Sequence, residues 1–178
     1  MSSRIPAQPA AESGSHRTEL EARPGHEPAA AVSAARGRAL RDGDRQIDTA
    51  HLLHPLLESD PGVRAVFDGG PQVARLLGCL VQRSIGYGPG RQGAVEGSGA
   101  VPVVAEAGWS PAAAGAMERA CVRAGVCGGT EVRCLDLLAA IVADPRTRAV
   151  EVLRRAGVDV RVLLPRIEGA SRSACADE

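Results

Sequence analysis

The residues with the widest chemical repertoire lie in and around Ile47-Asp48-Thr49-Ala50-His51-Leu52-Leu53-His54-Pro55-Leu56-Leu57, with Asp136 as a later addition. Two imidazoles and carboxylates are the ingredients of a proton relay or a metal site. The spacing argues against both. His51 and His54 are three apart on a helix whose apolar face points elsewhere, and no third ligand is spaced to join them, so no metal site is expected. Of the five cysteines, Cys121, Cys127 and Cys134 are too widely separated to form the close pairs of structural zinc sites. They are expected to act as small core hydrophobes in a reducing compartment, without disulfides. Gly88-Pro89-Gly90-Arg91-Gln92-Gly93 satisfies G-x-G-x-x-G, but a dinucleotide site needs a strand before it and a helix opening within it. A flexible linker is the better reading. A phosphate-binding P-loop needs a lysine and the chain has none, so it is not an ATPase by itself. Ser110 is followed by Pro111, which marks a helix cap rather than a strained nucleophile. No catalytic residue and no cofactor are expected.

The elements that position these residues repeat. Leu52, Leu53, Leu56 and Leu57 form a helical stripe, with Thr49 placed to cap the amides in front and Pro55 expected to kink the helix. A worn copy follows in Val132-Arg133-Cys134-Leu135-Asp136-Leu137-Leu138-Ala139-Ala140-Ile141. Asp60-Pro61-Gly62-Val63-Arg64-Ala65-Val66 is answered by Asp144-Pro145-Arg146-Thr147-Arg148-Ala149-Val150, and the segment from Gly70 to Leu77 by that from Gly157 to Leu164. Three matched blocks in one order make a tandem duplication.

The pattern resembles the double Clp-N repeat, the N-terminal domain of ClpC- and ClpA-type unfoldase ATPases, over roughly residues 29–168. Ile47, Thr49, His51, Leu52 and Leu53 match the first block of that repeat, and Trp109-Ser110-Pro111 resembles the start of the second. The family usually has a glycine at the place of Pro55. The resemblance implies an all-α fold of two tandem four-helix repeats related by a pseudo-two-fold axis. It implies a non-catalytic module, without the AAA+ modules, for receiving substrates and adaptors. The partners it implies are Clp ATPase or protease components, adaptors or substrate segments, or a cyclic-peptide natural product of the kind that targets actinobacterial members. Adaptor, decoy and antibiotic-sequestering protein all remain open. The ligand or partner surface would include Trp109, Glu118, Thr49 and His51, with Trp109 partly buried. Family members that bind phosphoarginine use an acidic residue just before the His of each repeat, and Ala50 and Leu135 stand there, so that mark should not be read. The rival readings are an enzyme of uncharacterised type using His51 and His54 in the inter-repeat cleft, or a degenerate duplicate with no ligand.

Composition agrees. One Trp, one Tyr and one Phe leave the core to Leu, Val, Ile and Ala, which argues for helices. All 21 basic residues are Arg, but net charge is zero and the Arg are interleaved with Asp and Glu, which excludes a nucleic-acid footprint. The chain carries no apolar run of membrane-spanning length and no signal-peptide core, so a cytoplasmic location is expected. Residues 1–28 read as a disordered tail, 29–85 as repeat one, 86–108 as a Gly-rich linker, 109–168 as repeat two and 169–178 as a C-terminal tail. The helices are expected near 29–41, 49–57, 63–67, 71–84, 111–122, 134–143, 146–156 and 158–167.

Overall fold

The computed structural model describes residues 23–86, 108–129 and 131–176. Each half of the described chain builds four helices. In the first are β1 (Arg23–Pro24), α1 (His26–Asp42), β2 (Gln46–Ile47), α2 (Thr49–Ser59), α3 (Pro61–Ala65) and α4 (Gly70–Gly86). In the second are β3 (Gly108–Trp109), α5 (Pro111–Val126), β4 (Glu131–Val132), α6 (Cys134–Val142), α7 (Arg148–Arg155) and α8 (Val160–Ala176). The all-α, eight-helix double repeat is therefore the fold, with four two-residue strands added.

Local chemistry sets the boundaries. Gly43, at φ 70°, closes α1 with its amide on the carbonyls of Ala39 and Leu40, a left-handed position that glycine adopts without strain. Ser110 opens α5 by accepting from the amide of Ala113 at 3.1 Å, with Pro111 in the first turn. Differences from expectation lie at the ends. α1 begins at His26 rather than Ala29, and β1 precedes it, so Arg23 to Pro28 do not belong to a tail. α8 runs to Ala176, through Pro165, where a C-terminal tail was expected from 169. α2 continues through Pro55 to Ser59, whose hydroxyl donates to the Pro55 carbonyl at 2.7 Å. The Gly88-to-Gly93 pattern, with most of the linker, lies outside the described residues, as do residues 1–22.

α2 and α6 form the centre and touch each other. Leu52, Leu53, Leu56 and Leu57 of α2 and Leu138 and Ile141 of α6 are fully buried. α1 covers α2 and α5 covers α6, each through a row of alanines: Ala31, Ala35 and Ala39 on α1, and Ala113, Ala116, Ala120 and Ala124 on α5. Small side chains at four- and three-residue spacing let the backbones approach closely and keep dispersion contacts without large residues. Val32 packs at the edge of this row, while Leu40 is exposed.

The repeats exchange their edges. β1, in front of α1, pairs in parallel with β4, in front of α6, and β3, in front of α5, pairs in parallel with β2, in front of α2. The residue that precedes each outer helix continues the pairing: Gly25 donates to the Val132 carbonyl at 3.2 Å and Ser110 to the Ile47 carbonyl at 3.0 Å. The same swap recurs among helices, with α2 against α7 and α6 against α3. Pairs this short carry little energy by themselves, but they satisfy backbone groups that the tight packing would otherwise leave without water. The register matches the aligned blocks, since Ile47 and Val132 occupy equivalent strand ends and Thr49 and Cys134 equivalent helix starts.

Candidate functional site

The start of α2 gathers the polar side chains singled out in the sequence. Asp48, not Thr49, is its cap: Asp48 Oδ1 accepts from the amides of Ala50 at 2.9 Å and His51 at 3.1 Å. His51 reaches back, its Nδ1 accepting from the Asp48 amide at 3.0 Å, which makes a capping box with an imidazole in place of the usual carboxylate. In repeat two, Asp136 does the same for the Arg133 amide at 3.1 Å. His51 and Asp136 are thus equivalent capping groups, and the structure does not bring them together as a catalytic pair.

Thr49 has a different employment. Its Oγ1 accepts from the amide of Ala149 in the first turn of α7 at 3.1 Å, so a hydroxyl of repeat one caps a helix of repeat two. Thr147 caps the same helix from within, accepting from Val150 at 3.3 Å. Asp48 is also tied across the repeats: its carboxylate pairs with Arg83 of α4, and Arg148 Nε of α7 stands 3.6 Å away. Burial alone would raise the Asp48 pKa, but the hydrogen-bonded His51 ring and the Arg83 guanidinium overcome it and hold the carboxyl below its ordinary value.

Both imidazoles are buried, in contrast to the expectation of histidines off the apolar face; His51 is 3% exposed and His54 5%. His51 Nε2 faces two carboxylates whose approach was not anticipated, at 3.0 Å from Asp44 Oδ2 and 3.7 Å from Asp42 Oδ2. Burial opposes charging of this ring, yet Asp44 and Asp48 reverse the balance and raise its pKa to about 9. His54 goes the other way, lowered by burial and by Arg38. The signal for Asp42 and Asp44 was on view in Asp42-Gly43-Asp44, which reads as a helix stop; that the stop folds back onto His51 depends on α1 packing against α2.

The four residues expected to form one ligand surface are divided. Thr49 and His51 are internal, Trp109 is half-buried in β3 against the core, and Glu118 is exposed on α5. Glu118 leads a solvent-facing row one turn apart, with Val122 at 65% and Val126 at 82% exposure. Cys121 is half-buried and Cys134 buried, as core thiols, whereas Cys127 is exposed. Among the described residues no helix is long and apolar enough to cross a membrane.

No family model matches the chain, and no curated protein matches it in sequence. Solved structures do. The N-terminal domain of the caseinolytic-protease-associated chaperone ClpD from Arabidopsis thaliana superposes with a TM-score of 0.63 at 13% identity, over 88% of this chain and 99% of that one. The Hsp104 N-terminal domain from Candida albicans gives 0.62 at 13% identity, over 82% and 89%. A chain solved in work on a malarial protein secretion system gives 0.60 at 16% identity, over 82% and 92%. Identities so low speak for architecture alone, and that agrees with the internal duplication and the exchanged strands. The chain has the double-repeat fold of Clp-type N-terminal domains.

Proposed function

We propose that this protein is a non-catalytic recognition module that binds a protein segment along α5. The observation that carries the reading is the row Glu118, Val122 and Val126, where two large aliphatic side chains face solvent one turn apart next to a carboxylate. Such a row suits the apolar face of an amphipathic helix that brings a basic residue to Glu118. The fold supports the same reading, because the structures it matches include N-terminal domains of chaperones. Clp ATPase components, their adaptors or their substrates are the partners in view. Adaptor, decoy and sequestration of a cyclic peptide are three uses of one binding face.

The enzyme reading loses its support in geometry, since the His51 ring lies within repeat one, enclosed by Asp42, Asp44 and Asp48, rather than in a cleft between repeats. The test is a pull-down from the native cell extract with tagged wild type and with a Val122→Glu, Val126→Glu double variant of unchanged circular dichroism. Enrichment of a Clp ATPase, adaptor or client by wild type alone is the expected result. Equal capture by both proteins would remove α5 as the binding face, and capture of no Clp component would remove the partner class.

A further inference from the structure

Asp42 ends α1, Asp44 follows the Gly43 turn, and His51 lies in the first turn of α2. Their candidate donor atoms all lie within 4.8 Å of one another. The His51 ring is buried, and its Nε2, aimed at the two carboxylates, has no partner with hydrogen-bond geometry despite the 3.0 Å approach of Asp44. Two donors each about 2.0–2.2 Å from a tetrahedral ion stand roughly 3.3–3.6 Å apart. The observed separations of 3.0 and 3.7 Å from Nε2 bracket that edge.

The surroundings supply what a metal-bound imidazole needs. Nδ1 stands 2.9 Å from Asp48 Oδ1 as well as 3.0 Å from the Asp48 amide. On binding an ion the ring therefore exchanges the bond it accepts from the amide for one donated to the carboxylate, the tautomer that turns the Nε2 lone pair outward and is typical of metal-ligating histidine. Ser84 Oγ, near the end of α4, donates to Asp42 Oδ2 at 2.8 Å and fixes that carboxylate. Asp42 and Asp44 each keep partial exposure, which leaves a path for an ion and room for water. The turn itself does not require the two acids. In repeat two the equivalent left-handed glycine is Gly128, at φ 75°, and it is flanked by Cys127 and Gly129, with Asp136 at the place of His51.

We propose that Asp42, Asp44 and His51 bind a divalent first-row transition cation of the Zn²⁺ type, with water completing a four-coordinate shell. One imidazole among three donors disfavours Ca²⁺ and Mg²⁺, which take oxygen shells of six or more. The ion clamps the α1–α2 turn and, through Ser84, the last turns of α4. The site is independent of the α5 binding face.

Titration of Zn²⁺ into the chelator-treated full chain by calorimetry tests it, together with Asp44→Asn and Ser84→Ala, both at partly exposed positions. Wild type is expected to take up one equivalent. Removing an outer partner costs roughly 10–100-fold in metal affinity, so Ser84→Ala should fall in that range and Asp44→Asn beyond it. Co²⁺ bound to wild type should give tetrahedral ligand-field bands without a thiolate charge-transfer band, and Zn²⁺ should raise the melting temperature of wild type but not of Asp44→Asn. Absence of binding, an unchanged affinity in Asp44→Asn, or a thiolate band placing the ion on cysteine would each overturn the site.

Discussion

A threonine that looks like a cap for its own helix serves another helix 100 residues away. Thr49→Val keeps the shape and removes the acceptor, leaving the Ala149 amide buried without a partner. That should cost about 1–3 kcal/mol, measured by urea denaturation, whereas a change below a few tenths would show that Thr147 alone suffices for α7. Asp48 and His51 make stability depend on pH from both sides. The lowered carboxyl contributes above the ordinary Asp value of about 3.9, and that contribution is lost as acid takes the pH through the folded value. The raised imidazole contributes fully below about 6.5 and is lost as pH rises through about 9. In chelator, wild-type stability should therefore fall from pH 6.5 toward 9 and again below 4, and Asp48→Asn should flatten both limbs. Ala50 is buried and carries no carboxylate. A lost charged hydrogen bond of about 1.5–3 kcal/mol per site means ten- to more than a hundredfold weaker binding. Calorimetry should accordingly show no micromolar binding of phosphoarginine.

At the scale of the element, position in the packing decides how much a residue matters. Leu52→Ala opens a cavity at the centre and should cost about 2–5 kcal/mol, while Ser110→Ala removes one cap and should cost about 1 kcal/mol. Thermal or chemical unfolding of the two variants checks the ranking, and equal losses would mean that the strand ahead of α5 depends on Ser110 more than its hydrogen bonds show. The leucine stripe and the Ser110-Pro111 start were legible because each is a local signal. The partners of Thr49 and the imidazole faces were not, since they depend on which helix lies opposite. The two-residue strands were invisible for another reason: at that length alternation has no room to show, and only the repeat alignment puts Ile47 and Val132 in equivalent places.

For the whole molecule, duplication was the legible fact, and the swap between copies the hidden one. Each repeat leaves a strand and a helix end that only the other completes. Residues 1–86 and 108–178 made as separate chains should each lack a cooperative melt and recover one when mixed. Two independent cooperative transitions would show that the exchanged edges are incidental.

The swap also sets a clock for synthesis. The strand ahead of α1 cannot pair, and the hydroxyl of Thr49 has nothing to cap, until residues some 100 positions later have been made. At about 5–20 residues per second that is a wait on the order of 5–20 s. During it only α1, α3 and α4 cover α2, and the part of its leucine face that α6 and α7 bury in the folded chain stays open to water.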